Sequence, residues 1–238
     1  MRFGIVGAGK MGKEIASIAR ARGHDVVWSL ASGDNQEGQG LSSDRLAQAD
    51  AVFEFTAPGA AVGNLLLLAA AGARVVCGTT GWAGELPRVA EAFRSGGGAL
   101  VHATNFSIGM RHFLEVARAA AGLFPRAGYA SYLVEEHHAA KRDAPSGTAR
   151  TLSAVIEKES GERPPVVSVR AGTVPGLHRI VFESPEDEVE LIHRARGRAG
   201  FAKGAVWAAE RIAGKSGVFE FGELLRADRS GTGEARTP

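Results

Sequence analysis

Five short runs rich in β-branched and aliphatic residues punctuate the first hundred positions, at 2–6, 25–30, 51–55, 74–77 and 99–103. Runs this short and this apolar predict strands buried on both faces. The segments 11–22, 59–71 and 86–94 space their apolar residues at helical intervals. Strands alternating with helices in this way build a doubly wound parallel α/β sheet. Beyond Asn105 the pattern changes. A helix over 108–123 precedes 129–136, which alternates like a strand with one wet face, and a second helix over 147–159 opens after Asp143-Ala-Pro-Ser146, where a proline and small polar residues supply the start signal. Strand-like runs follow at 166–170, 179–183 and 188–193, then an amphipathic helix at 201–213. Short turns between these strands predict an antiparallel or mixed sheet in a second, α+β domain, and the last helix is expected to return to the first. The tail from Ala227 has almost no large apolar residue and is expected to fray.

Composition narrows the function classes. With 238 residues, 45% hydrophobic, 23% charged and 32 glycines, the chain is neither collagen, coiled coil nor wholesale disorder. Lys and Arg number 28 against 26 Asp and Glu, a formal +2 without a run of five like charges, so neither a nucleic-acid nor a membrane partner is expected. The longest apolar stretch, 60–73, is broken by Asn64 and falls short of the roughly 20 residues that span a bilayer. The segment 1–7 lacks the apolar core of a signal peptide, and a soluble, cytoplasmic protein is expected. A single cysteine, Cys77, permits neither an internal disulfide nor a thiolate metal cluster, and it reads as a small buried residue ending a strand.

The candidate chemistry sits at strand ends. Gly7-Ala8-Gly9-Lys10-Met11-Gly12 stands directly after the first strand and before the first helix, the context that makes G-x-G-x-x-G a Rossmann-like dinucleotide signature. Gly7 permits the tight turn, Gly9 lets backbone approach a pyrophosphate, and Gly12 lets helix pack on strand. An acidic residue at the end of the second strand would hold the adenosine ribose, but the chain reads Leu30-Ala-Ser-Gly-Asp34, with Asp34 a little late and no arginine in its place. Gly78-Thr79-Thr80-Gly81 and Ala103-Thr104-Asn105-Phe106 close the fourth and fifth strands, where open α/β sheets bind ligands. The densest polar stretch is Glu135-Glu-His137-His138-Ala-Ala-Lys141-Arg-Asp-Ala-Pro-Ser-Gly147-Thr148. A helix start at Gly147 and Thr148 suits a carboxylate, and a lysine with histidines can protonate a substrate atom as charge builds on it. The paired histidines lack the spacing of a zinc cluster, and no metal is expected. His178 and His193 stand near glycines and arginines as weaker candidates for substrate contact, while His24, His102 and His112 read as packing or surface residues.

In these motifs the sequence resembles the dihydrodipicolinate (4-hydroxy-tetrahydrodipicolinate) reductases of the lysine and diaminopimelate pathway, over residues 2–225. The resemblance rests on the glycine motif, Phe53-Glu-Phe-Thr56, Gly78-Thr-Thr-Gly81, Asn105-Phe-Ser-Ile-Gly109, His-His-x-x-Lys-x-Asp-Ala-Pro-Ser-Gly-Thr over 137–148, Arg170-Ala-Gly172, Val174-Pro-Gly176, His178, His193 and Phe201-Ala-Lys-Gly-Ala205. It implies an NADH- or NADPH-dependent oxidoreductase acting on a small cyclic dicarboxylate, with His137 as catalytic acid/base and Lys141 as proton donor. His138, Gly147 and Thr148 would bind the substrate; Gly7 to Gly12, Gly78 to Thr80 and Thr104 to Phe106 would line the cofactor. A homotetramer comes with the resemblance, as does an organisation in which residues 1–106 and 205–238 bind the dinucleotide and 107–204 form a substrate-binding and oligomerisation domain. The chain departs from the family pattern in a glycine loop one residue shorter than in many members, in Leu177 where an acid is common, and in Gly197 where a serine is expected.

Overall fold

The computed structural model describes residues 1–230 and divides the chain into two units, Met1–Phe106 with the chain from Phe201 on, and Ser107–Gly200. The first unit begins with β1 (Arg2–Val6), α1 (Lys10–Ala21) and β2 (Asp25–Leu30), continues through a short α2 (Ser43–Leu46), β3 (Ala51–Glu54), α3 (Pro58–Ala70), β4 (Arg74–Cys77) and α4 (Leu86–Ser95), and reaches β5 (Ala99–His102). The second unit holds α5 (Ile108–Leu123), β6 (Ala130–His137), α6 (Gly147–Ser160), β7 (Val166–Arg170), β8 (Leu177–Glu183) and β9 (Glu188–Arg194). The chain returns within α7 (Ala199–Arg211) and ends its described course in β10 (Gly217–Glu220) and α8 (Phe221–Ser230).

In the first unit all neighbouring strands are parallel, in the order β10-β5-β4-β3-β1-β2. The apolar runs are central strands because both faces are covered: Phe3, Ile5, Phe53, Val75 and Val76 are fully buried, and side chains of this size contribute roughly 1.5–3 kcal/mol each. Helix α1 buries Gly12, Ile15 and Ala19, one face at helical spacing. Gly204 in α7 is required by close approach, since a Cβ there would lie 1.7 Å from the Phe106 carbonyl oxygen. The sequence pattern yields five strands; the sixth, β10, pairs with β5 from Gly217 opposite Ala99 to Glu220 opposite His102. A second correction concerns the tail. Residues 227–230 are helical, because α8 buries Leu224 and Leu225 and Arg211 pairs with Asp228 at 2.9 Å. Residues 231–238 of the expected frayed tail lie outside the described residues. Among the described residues no helix is long and apolar enough to cross a membrane.

The second unit packs α5 and α6 on a four-stranded sheet ordered β7-β6-β8-β9. Met110, Leu114 and Ala117 of α5, Leu152 and Ile156 of α6, and Leu133, Ile180 and Phe182 of the sheet form its core. Ser107 caps α5 by accepting the Met110 N–H at 3.1 Å. β8 runs antiparallel to β6 and β9, whereas β7 runs parallel to β6, with Arg170 opposite His137. Strand β6 extends to His137, one residue beyond the expected end, and β8 starts at Leu177, so His178 and His193 face each other as ladder partners.

Candidate functional site

The glycine turn after β1 is shaped by contacts that exclude side chains. Gly7 has φ +102°, and a Cβ on it would lie 2.0 Å from the Phe55 carbonyl oxygen; a Cβ on Gly12 would lie 2.1 Å from the Gly7 oxygen. Around Gly9, by contrast, there is open space, and Gly9 stands at the start of α1, where the first backbone N–H groups find no acceptor within the helix. Gly7, Ala8 and Gly9 line a cavity of about 470 Å³ at the point where the strand order reverses beside β1, facing Ala31, Ser32, Asn35 and Thr56. Lys10 is exposed, Met11 half-buried and Gly12 buried; these three form the first turn of α1 rather than the cavity wall.

Behind that wall lies a network the sequence reading does not find. Glu54, fully buried at the end of β3, accepts hydrogen bonds from the Thr56 hydroxyl, from Asn64 Nδ2 at 3.2 Å and from the Cys77 thiol at 3.3 Å. Cys77 is therefore buried at a strand end as expected, but as a donor; burial first, then the Glu54 charge, pushes its thiol pKa up. Asn64 Oδ1 accepts from Asn35 Nδ2 at 2.8 Å, and Asn35 Oδ1 accepts from Gly40 N at 3.1 Å, which fixes the far end of the cavity. The Asp34 carboxylate is taken up by its own turn, accepting the Ala31 N–H at 2.9 Å.

A second cavity of about 290 Å³ opens beyond β4, β5 and β10. Thr79, Thr80 and Thr104 line it with Trp82, His102 and Glu220. Thr79 Oγ1 accepts the Thr56 N–H at 2.8 Å and its carbonyl accepts Trp82 Nε1–H at 2.8 Å, so Thr79 belongs to the support of both cavities. Gly78 lies against the Phe55 ring, 2.0 Å from where a Cβ would stand. Asn105 is half-buried; Phe106 is buried between Phe55 and Phe221, at ring distances of 6.0 and 4.8 Å. His102 lines a cavity here, a place its strand context does not disclose.

In the second unit, strand alternation puts Glu135 and His137 on one face of β6. Glu135 is fully buried; its Oε2 meets His137 Nδ1, and its Oε1 accepts from Arg170 at 2.6 Å and from the Ser146 N–H at 3.2 Å. Burial alone would raise the Glu135 carboxyl, but Arg170, Ser168 and His137 outweigh it and hold its pKa down at about 2. Burial lowers His137, with Glu135 opposing and the positive charges of Lys141 and Arg170 reinforcing the drop. The neutral imidazole therefore donates from Nδ1 to Glu135, and Nε2 is left as an acceptor. A Cβ on buried Gly176 would lie 3.1 Å from that Nε2, so glycine keeps the nitrogen uncovered. Lys141 Nζ donates to Asp143 at 2.7 Å, and this bond holds the Asp143 carboxyl below its ordinary range.

The loop then enters α6. Ser146 caps the helix, its hydroxyl accepting the Ala149 N–H at 3.2 Å, and Gly147 and Thr148 form its first turn; His138 and Lys141, earlier in the same loop, are half-buried. Such a turn favours an anion. Glu135, His137 and His178 bring three potential metal-ligand atoms within 4.8 Å of one another. Arg170, His137 and the Ser146 amide already take up the Glu135 oxygens, and a guanidinium beside them opposes a second cation. The arrangement is suited to moving a proton beside a bound carboxylate. Glu135, Ser146 and Arg170 stand within or beside the motifs read from the sequence, but the bonds joining them link residues up to 35 positions apart.

Comparison with known proteins extends this picture to both units. Residues 1–106 match the family model described as dihydrodipicolinate reductase, N-terminus, and residues 109–225 match the one described as dihydrodipicolinate reductase, C-terminus. The chain is 33% identical over 238 residues to the 4-hydroxy-tetrahydrodipicolinate reductase of Christiangramia forsetii, covering 94% of this chain and 98% of that protein. It is 36% identical over 250 residues to that of Natronomonas pharaonis, covering 94% and 100%. Among solved structures, a dipicolinate-bound dihydrodipicolinate reductase from Paenisporosarcina sp. TG-14 shares the fold, with TM-score 0.77 and 22% identity over 92% of this chain and 97% of that one.

Proposed function

The chain belongs to the dihydrodipicolinate reductase family, and from that premise we propose that it reduces 4-hydroxy-tetrahydrodipicolinate to tetrahydrodipicolinate with NADH or NADPH, in lysine and diaminopimelate biosynthesis. The observation that carries this reading is the run from the Glu135–His137 pair through Lys141 into the start of α6. Open space at Gly9, the positive φ of Gly7 and the cavity beside the first turn of α1 suit a dinucleotide pyrophosphate held by Gly7, Ala8 and Gly9. Thr79, Thr80 and Thr104 would hold the nicotinamide end. When bound, the cofactor supplies a hydride.

Loss of the 4-hydroxyl as water leaves a conjugated imine, and hydride addition to it builds negative charge on the ring that a proton must meet. Lys141 supplies a cation and a transferable proton, and His137 passes or receives one at Nε2, its other nitrogen fixed by Glu135. Two substrate carboxylates beside His137 raise its proton affinity, so a ring that is neutral alone becomes charged in the complex. His138, Gly147 and Thr148 hold those carboxylates, and the gain is largely positional. Exposed Val167, Val169 and Ile192 on the second unit's sheet support the homotetramer, because an apolar surface there is what further copies would cover.

The test is a coupled assay in which dihydrodipicolinate synthase product is supplied and nicotinamide absorbance is followed. Turnover is expected, with competitive inhibition by pyridine-2,6-dicarboxylate that weakens in Thr148→Val. No turnover, or inhibition that competes only with the nicotinamide, overturns the reading.

A further inference from the structure

Four polar residues of the second unit close a ring. Glu135 meets His137 through Oε2 and the Ser146 N–H through Oε1; the Ser146 hydroxyl meets His178 Nε2 at 3.3 Å; and the His178 ring stands edge-on to His137, with centroids 5.3 Å apart and planes at 76°. All four are at least nine-tenths buried, with exposures of 0% for Glu135, 9% for His137, 2% for Ser146 and 4% for His178. The first three have tasks in the reading above. His178 has none.

Packing does not account for a histidine at this position. Its Nε2 is used by Ser146, and whichever atom carries the shared proton, Nδ1 is left buried without a hydrogen-bond partner. A phenylalanine would fill similar space without burying an unpaired polar atom. The same strand start meets His137 twice: Gly176 leaves Nε2 uncovered, and two residues later His178 lies against the ring.

We propose that His178 is a positioning residue for the reduction, tying Ser146, which starts the carboxylate-holding helix, to the His137 ring, so that the cradle and the proton-handling nitrogen keep a fixed spacing. This rests on the function proposed above.

The experiment compares His178→Phe, His178→Gln and Ser146→Ala in the full-length protein, reading kcat, the Kd of pyridine-2,6-dicarboxylate and the Kd of NADH. In His178→Phe, kcat is expected to fall at least about tenfold and the dicarboxylate Kd to rise at least about fivefold, as small misplacements of reacting groups do, with the NADH Kd unchanged. His178→Gln, whose amide can reach the Ser146 hydroxyl, recovers most of both. Should the phenylalanine variant not fold, the cycle of His178→Asn, whose shorter amide gives up the Ser146 contact, with Ser146→Ala decides, because two changes on one contact are non-additive. Full additivity, or a folded His178→Phe enzyme within about twofold of wild type on kcat and dicarboxylate Kd, overturns the proposal. A wild-type protein that neither binds the dicarboxylate nor turns over the imine overturns the functional reading itself.

Discussion

Replacing Glu135 by glutamine keeps the shape of the buried side chain and removes its charge. In the folded protein its carboxyl is held at about 2 against an ordinary 4.5, because Arg170, Ser168 and His137 outweigh the cost of burial. At ~1.4 kcal/mol for each of roughly 2.5 pH units, the retained charge contributes about 3 kcal/mol at neutral pH. The folded pKa is depressed, so this stabilisation is present above 4.5 and is lost as pH falls from 4.5 toward 2. Glu135→Gln is therefore expected to be less stable than wild type by about 3 kcal/mol at pH 7 and by only about 1 kcal/mol at pH 3. Trp28, Trp82 and Trp207 all lie in the first unit, so their fluorescence is a poor probe. Urea titrations read by hydrogen exchange of the β6 and β8 amides follow the second unit directly. The glutamine amide also donates to His137 Nδ1, which moves the ring proton to Nε2, and turnover should fall at least about a hundredfold. An equal stability gap at both pH values, or none at either, would refute this account of the Glu135 charge.

Three further outcomes are expected. His137→Gln and Lys141→Ala should each lower turnover at least about a hundredfold while leaving NADH affinity nearly intact, and near-native turnover in either would remove that residue from proton transfer. With Asp34 committed to Ala31 and no arginine in 30–33, NADH and NADPH should agree within about tenfold in kcat/KM; a preference beyond about a hundredfold would mean another group reads the ribose. Gly176→Ala puts a methyl 3.1 Å from His137 Nε2 at a φ of +149°, so turnover should drop more than about tenfold, and unchanged rates would show that this nitrogen faces elsewhere in the reaction.

The alternation of apolar runs with helical spacing made the parallel sheet legible, and the glycine motif between the first strand and helix marked the turn at Gly7. β10 escaped because its four residues, Gly217–Glu220, are all partly exposed and make no buried apolar run, and it is held by pairing with a strand more than a hundred positions earlier. In the second unit the His-His-x-x-Lys stretch drew attention to His137 and Lys141, but the partners that set the state of His137 come from elsewhere. Glu135 is visible as a strand neighbour, yet its charge survives burial largely through Arg170 and Ser168, on another strand. Asp34 shows the opposite failure. Local sequence offers it to a ligand, whereas its position three residues after Ala31 lets it close its own turn.

The parallel pairing of β6 with β7 has a consequence best seen by reversing it. Arg170 lies opposite His137 because both strands end at the same edge of the sheet, after a crossover through α6. Were the same five residues, Val166–Arg170, joined as a hairpin over the same span, Arg170 would fall opposite Leu133, four positions or roughly 13 Å from His137. Glu135 would still have the guanidinium two positions away along the sheet, but His137 would lose the neighbouring Arg170 charge that helps hold its pKa down. The protonation state of the histidine is in this sense an outcome of chain direction.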